Sequence, residues 1–341
     1  MAITQIADVI VPEVFGPYIQ QYTETKSNLI TSGAIEVDPQ LSMMLAGGGL
    51  TFNVPSWLDL DDSDLNVGDD SATLATAAKT TAAEEVMVRL SRNKTFAYSD
   101  LTGILAGSDP AASIGNRVGE YFTRKLQDAF IATTKGVFAD NAAAPSATEH
   151  VQNDLTYNIS GGAFVDGVTN FSTEAFIDAL TTAGDSADNI TIVMVHSVVY
   201  ARMQKNNLLE FVADSVNPDA AKIPFFLGRR VIVNDKMPVT AGVYDTWLFG
   251  AGAFKLGSVM PMNATETYRE PLAGNGQGQE TLIQRVQWML HPLGHKYVGT
   301  APNGGPSDAA TSNNLAHAGS WQRAYSQRKQ IKIARLITRE A

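Results

Sequence analysis

Between two runs of strand-like alternation lies a stretch of chain that a compact core has no way to absorb. Leu50, Phe52 and Val54 alternate with polar positions, and Val86, Val88 and Leu90 repeat the pattern about thirty residues later. That is the period of a strand with one buried face. Between them, Asp59, Asp61, Asp62, Asp64, Asp69 and Asp70 fall within twelve residues that hold no basic side chain, and residues 71–83 are mostly Ala and Thr. Like charges at this density repel, and few apolar side chains are there to anchor the segment. Structureless loops longer than about 12–15 residues are uncommon inside compact domains. The two runs are therefore expected to be the rails of a long hairpin. Its tongue, residues 58–83, is expected to be disordered in an isolated subunit and to order on a neighbouring one.

The remaining composition admits an ordinary globular body around this tongue. The 341 residues allow one large domain or two of common size. A content of 44% hydrophobic against 18% charged residues suits a chain that buries a core. No apolar run approaches the ~18 residues of a membrane-spanning helix, so no membrane partner is expected. Residues 1–8 carry no basic segment of the kind that opens a secretory leader. With no cysteine, disulfides, thiol catalysis and cysteine–zinc sites are excluded. The net charge of −10 is confined to the first quarter: residues 1–90 hold 3 basic and 13 acidic side chains, and residues 91–341 hold 22 of each. Such a chain is a poor candidate for tight binding to nucleic acid, which demands clustered Lys and Arg.

Ahead of the rails, Pro12, Pro17, Gly33, Pro39 and Gly47-Gly48-Gly49 punctuate a segment read as an arm. Behind them, Ser108 and Asp109 supply N-cap chemistry and Pro110 a first-turn proline, which predicts a helix from 110 to about 135. Such a helix is roughly 39 Å long. Ile114, Val118, Tyr121, Phe122, Leu126 and Ala129 form its apolar stripe, and Arg117, Glu120, Arg124 and Asp128 an alternating-sign stripe. Next, Ser172 is expected to cap a helix to Ala183, followed by a buried strand over 190–195 and a helix over 198–209. Strands are predicted over 230–234 and 246–249, a second hairpin over 263–270 and 281–290 with a glycine-rich tip at 274–278, and a closing strand over 330–337. The fold class is α+β.

No chemistry-bearing motif survives inspection of its spacing. Asp62, Asp64 and Asn66 match the first three ligand positions of a helix-loop-helix calcium site. However, Val67 stands where glycine is required, and Thr73 where the bidentate Glu belongs. A solvated or partner-facing acidic loop is the better reading. Gly250-Ala251-Gly252 follows a strand, yet Lys255 takes the third glycine's place in a dinucleotide turn; the small residues are read as serving close packing. His291 and His295 are four apart, but Pro292 and Gly294 break any helix that would align them as ligands, which leaves a structural role at a turn. His150, His196 and His317 are isolated. No catalytic residue, metal or cofactor is expected. Arg323, Arg328, Lys329, Lys332, Arg335 and Arg339 give residues 321–341 a net charge of +5. This cluster suits a contact with DNA or an acidic neighbour, or a solvated strand edge that basic residues protect from aggregation.

Several segments, taken in order, resemble a known family. These are Gly16-Pro17-Tyr18, Val54-Pro55-Ser56-Trp57, Gly107-Ser108-Asp109-Pro110, Leu227-Gly228-Arg229-Arg230, Leu248-Phe249-Gly250-Ala251 and His291-Pro292-Leu293-Gly294-His295-Lys296. Their succession resembles major capsid proteins of tailed bacteriophages, which have the Hong Kong 97-type capsid fold. The resemblance covers nearly the whole chain. It implies an N-terminal arm over 1–48, an extended loop over 49–98 that overlaps an adjacent subunit, and the spine helix of a peripheral domain over 99–140. It further implies an axial domain over 141–250, a peripheral-domain hairpin over 251–299, and a C-terminal segment over 300–341 returning to the axial domain.

The implied function is structural: a non-enzymatic subunit that self-assembles into pentamers and hexamers of an icosahedral head around double-stranded DNA. Scaffolding, portal and decoration proteins are the implied partners, with DNA held by non-specific proximity, assembly in the host cytoplasm and residence in the virion. The chain lacks the long scaffolding segment that precedes the arm in one branch, so a separate scaffold or an already processed form is expected. Two alternatives stand: an encapsulin-like nanocompartment shell of the same fold, and a metal-dependent enzyme or binding module using the Asp59 to Asp70 cluster. In a shell, Asp59, Asp61, Asp62, Asp64, Asp69 and Asp70 are expected to meet a basic surface across the subunit boundary. Arg117, Arg124, Arg229, Arg230, Arg328, Lys329, Lys332 and Arg335 are the candidates to form it.

Overall fold

Two sheets joined by one long helix organise the chain in a computed structural model that describes residues 33–57, 65–68, 80, 82–106, 110–143, 150–212 and 223–341. The acidic cluster, the Pro12 and Pro17 part of the arm and the Ser108–Asp109 cap lie outside the described residues. The chain order begins with β1 (Ile35–Val37), α1 (Pro39–Ala46), β2 (Thr51–Trp57), β3 (Ala82–Val88), β4 (Leu90–Ser99), α2 (Asp100–Ala106) and α3 (Pro110–Ala142). It continues with β5 (Thr156–Asn158), α4 (Thr173–Thr181), β6 (Ile190–Val195), α5 (Ser197–Lys205), β7 (Glu210–Val212), β8 (Ile223–Phe226), β9 (Arg229–Val233), β10 (Val239–Thr240) and β11 (Val243–Gly250). The last elements are β12 (Phe254–Val259), β13 (Thr265–Glu270), β14 (Gln279–Pro292), β15 (His295–Tyr297), β16 (Trp321–Arg323) and β17 (Ile333–Arg339).

The expected rails form. β2 and β3 pair antiparallel from Thr51↔Val88 to Trp57↔Ala82. The trailing rail stops at Val88, however, because Leu90 already sits opposite Trp288 and β4 then follows β14 as far as Ser99↔Gln279. β14 organises this five-stranded sheet: β12 and β13 follow one another along one edge, β4 takes the other, and β1 extends β12 in parallel. The expected second hairpin is β13 with β14. Part of the expected arm is thus built into the subunit, with Ala34, Ile35, Leu41 and Leu45 buried.

The second sheet has eight strands, in the order β5–β17–β11–β6–β9–β8–β7, with β10 on β11. The closing strand β17 lies between β11 and β5. It is an interior strand, so its basic residues are not the guards of a solvated edge. α4 and α5 contribute to a core with this sheet through Phe176, Leu180, Val199 and Met203. Ser172 caps α4 as expected, its hydroxyl accepting from the Ala175 N–H at 3.2 Å. α5 ends at Lys205, four residues early, where Asn207 takes up a left-handed conformation (φ 52°) that asparagine tolerates.

α3 runs 33 residues, to Ala142 rather than 135, which makes it about 50 Å long. Gly136 does not end the helix, because its lack of a side chain has another use. A Cβ there would lie 2.0 Å from the Leu315 carbonyl oxygen and 2.6 Å from the Trp321 ring, while the next residues, Val137 and Phe138, are fully buried. The first half of α3 packs on the five-stranded sheet, with Tyr121 edge-on to Phe96 and Phe122 edge-on to Trp288 at centroid separations of 5.8 and 6.2 Å. The second half reaches Phe249 and Trp247 of the eight-stranded sheet through Phe130 and Phe138. One continuous core therefore contains side chains of both sheets, among them Leu90, Leu256, Ile192 and Ile333.

Candidate assembly interface

The hairpin of β2 and β3 is secured at its root and uncovered at its outer end. At the root, Phe52 and Met87 join Leu41 and Leu45 of α1 and Met289 of β14 in a small apolar cluster. The single buried face expected for the trailing rail is instead two covered faces: Glu85 and Met87 are buried on one, and Val88 on the other. At the outer end Trp57 is 78% exposed. Beyond it, Leu65 and Val67 are each 92% exposed.

Glu85 is a functional candidate that the sequence reading missed. Its carboxylate lies 3.0 Å from His291 Nε2 and accepts the Gly294 N–H at 3.3 Å. Burial opposes the charge, but the hydrogen bonds and charge of His291, with Tyr325 and the Gly294 N–H, hold the carboxyl below its ordinary value. His295, also buried, hydrogen-bonds through Nδ1 to the Leu293 carbonyl at 3.2 Å. Burial first, and the nearby Arg323 charge second, push its imidazole down to about 3. The turn that carries both histidines thus clamps β3. Alternation could have flagged Glu85, since it sits two residues from Met87 on the same strand face.

The candidate basic residues divide by what they already hold. Arg328 is nearly enclosed: Nε donates to the Asp154 carbonyl at 3.1 Å, Nη1 to Ile331 at 2.6 Å and Nη2 to Ile333 at 3.0 Å. Burial lowers its guanidinium to about 10. Arg335 lies 3.5 Å from Asp245 and stacks over the Phe138 ring at 4.7 Å. Arg229 donates to the carbonyls of Ile190, Leu227 and Ala187, and burial lowers its guanidinium as well. These three guanidinium groups are committed inside their own subunit. Arg117 and Arg230 are engaged too. The expected i+4 partner of Arg124, Asp128, is held by Lys125 at 3.0 Å and Lys236 at 2.5 Å, and Arg124 makes no ion pair with a described residue. Among the described residues the Lys332 ammonium has only a 3.4 Å contact with the Ala251 carbonyl, and Lys329 an exposed 2.9 Å pair with Asp185.

Asp59, Asp61, Asp62, Asp64, Asp69 and Asp70, and with them the calcium comparison, lie outside the described residues. Among the described residues no group of three His, Asp or Glu side chains could hold a metal ion, and no helix is long and apolar enough to cross a membrane. Gly250 serves close packing, since a Cβ there would lie 2.6 Å from the Asn189 carbonyl oxygen.

No protein-family model matches the chain. Among characterised proteins, the chain is 36% identical over 336 residues to the major capsid protein of Bacillus phage SPP1, an alignment covering 96% of each chain. Among solved structures, the capsid asymmetric unit of cyanophage Pam1 shares the fold at a TM-score of 0.54 and 11% identity, with 93% of both chains covered. The second likeness supports a mixed α+β architecture of the Hong Kong 97 type, and the first, over essentially the whole of both chains, is a matter of common descent: the chain belongs to the family of tailed-phage major capsid proteins, the structural, non-enzymatic subunits of the virion head.

Proposed function

We propose that the β2–β3 hairpin and the segment it carries are the extended loop by which each subunit overlaps the next. The carrying observation is the contrast along the hairpin: Phe52, Glu85 and Met87 are buried at its base, while Trp57 at its outer end is 78% exposed. An arm fixed at the root and bare at the tip suits a contact outside its own subunit. On this reading α3 and the five-stranded sheet form the peripheral part of the subunit, and the eight-stranded sheet gathers around the axes of pentamers and hexamers. Many copies of modest interfaces then sum to a closed shell around double-stranded DNA. A scaffold, a portal and decoration proteins are the further partners this reading calls for. The curated relative is a phage capsid protein, which favours this reading over a nanocompartment shell.

On this reading the acidic segment meets a basic surface of a neighbour, and of the candidates named from the sequence, Arg124, Lys329 and Lys332 are the ones not tied into buried contacts of their own subunit. Exposed ion pairs contribute only ~0.2–1 kcal/mol each, so one Asp→Asn change should be mild. Asp61→Lys, Asp62→Lys and Asp64→Lys combined should block assembly or misdirect it, most strongly at low salt, where the Debye length approaches ~30 Å. Electron microscopy and sedimentation of the expressed variant test this. Normal particles at low and high salt would mean that the acidic segment only keeps the particles soluble.

A further inference from the structure

Arg89 stands where the chain leaves the hairpin and enters the sheet, and its side chain touches three separate elements. Nη2 donates to the Leu45 carbonyl at the end of α1 (2.5 Å), Nη1 reaches Gln287 Oε1 of β14 (3.4 Å), and the guanidinium lies 5.6 Å from the centre of the Phe52 ring on β2. Its own N–H donates to the Leu50 carbonyl at 2.9 Å. The backbone at this bend is gripped from the far side by residues 304–306. A Cβ on Gly305 would lie 1.9 Å from the Arg89 carbonyl oxygen, Ser91 donates to the Gly304 carbonyl at 3.0 Å, and Arg92 donates to Gly304 and Pro306. One feature argues against a purely stabilising role: Arg89 Nε is buried without a hydrogen-bond partner among the described residues, a cost that an apolar side chain would not incur. A planar fork can hold a helix end, a strand side chain and an aromatic face at fixed mutual angles, whereas an ammonium or a methyl group lacks that geometry.

We propose that Arg89 is a positioning residue for shell assembly: it sets the direction in which the β2–β3 hairpin leaves the subunit and ties that direction to α1. This inference rests on the reading that the hairpin bears on a neighbouring subunit, and its two parts can be tested apart.

The chain contains no cysteine, so paired spin labels can be placed without background. Glu84→Cys on β3 of the hairpin and Thr267→Cys on β13, both exposed, report the hairpin angle by pulsed electron resonance on unassembled full-length subunits. With Arg89 present a single narrow distance is expected. Arg89→Met, which keeps the apolar stem and removes every side-chain donor, should broaden the distribution at least about twofold, and Arg89→Lys should fall between. Near-ultraviolet circular dichroism should be unchanged, and the Met variant should give particles of mixed diameter or none. A broad distribution in the parent protein, or one equally narrow in the Met variant, overturns the proposal. If the distribution broadens but uniform particles still form, Arg89 does not position the hairpin for assembly and the proposal is overturned, while the reading of the hairpin as an intersubunit contact stands. Should the Met variant fail to fold, Phe52→Leu and Gln287→Ala, which each remove one partner of the guanidinium, are judged by the same criteria.

Discussion

Gly119 and Gly136 lie on the same helix, and the same substitution at each should change stability in opposite directions. A Cβ at Gly119 meets nothing within 4 Å among the described residues. Alanine there recovers helix propensity and restricts the unfolded chain, worth about 0.5–1 kcal/mol in favour of the fold. At Gly136 the new carbon would lie 2.0 Å from the Leu315 carbonyl oxygen and 2.6 Å from the Trp321 ring. Trp321 is 2% exposed, and its Nε1 donates to that same Leu315 oxygen at 2.7 Å. Neither neighbour can retreat without straining the other or breaking a buried hydrogen bond. Overpacking of ~1–3 kcal/mol and a lost bond of ~1 kcal/mol together exceed the gain of ~1 kcal/mol in propensity. Gly136→Ala should therefore destabilise by about 1–3 kcal/mol. Urea unfolding of unassembled subunits, followed by tryptophan fluorescence and compared at equal m-value, measures both. Shifts of the same sign at the two positions would refute the account of α3 as a helix kept glycine-bearing at 136 for close approach.

Two further outcomes follow from buried charge. Glu340 is 6% exposed and accepts from the Phe171 N–H at 2.8 Å and Arg202 Nε at 3.1 Å. Glu340→Ala should cost about 2–3 kcal/mol by leaving those donors without an acceptor, and an unmoved urea midpoint would contradict this. For His295, the folded state stays neutral down to about pH 3, while the unfolded chain takes up a proton near 6.5. The unfolded state thus binds more protons within that window, and stability falls as pH drops through it by up to about 1.4 kcal/mol per unit. His295→Asn, which can still offer an N–H to Leu293, should flatten the stability–pH slope between about pH 6 and 5 by that amount. Parallel slopes for the two proteins would show that His295 is not held neutral.

Local patterns in this chain were legible where one element's own periodicity decided the outcome. The apolar run of residues 190–195, broken only by the exposed Thr191, is β6 with the expected bounds, and the stripe through Phe122, Leu126 and Ala129 is the buried face of α3. What escaped the sequence depends on partners far along the chain. Gly136 reads as a helix breaker until Leu315 and Trp321, nearly two hundred residues on, are seen against it. Arg328 and Arg335 read as surface charge because six basic residues crowd the last 21 positions. Their actual partners include the Asp154 carbonyl and the Asp245 carboxylate. Glu85 was hidden for the same reason: a carboxylate in a strand is assigned to solvent until a histidine 206 residues away is found beside it.

On the proposed reading, the same committed charges leave the acidic segment as the main electrostatic contribution to assembly. Glu85 with His291, Asp154 with Arg323, and Asp245 with Arg335 are each matched within the subunit, and residues 91–341 balance to zero. The excess negative charge of the chain therefore sits in its first quarter, while the remaining residues carry equal numbers of both signs. At ~0.2–1 kcal/mol per exposed pair, a single contact is too weak to hold two subunits together and too weak to trap them in a wrong register. A subunit with several neighbours makes many such contacts at once, and their sum grows with closure while each remains reversible. Salt should accordingly act more on how faithfully shells close than on whether the subunits fold, because the folded core spanning both sheets rests on apolar contacts that screening leaves largely untouched.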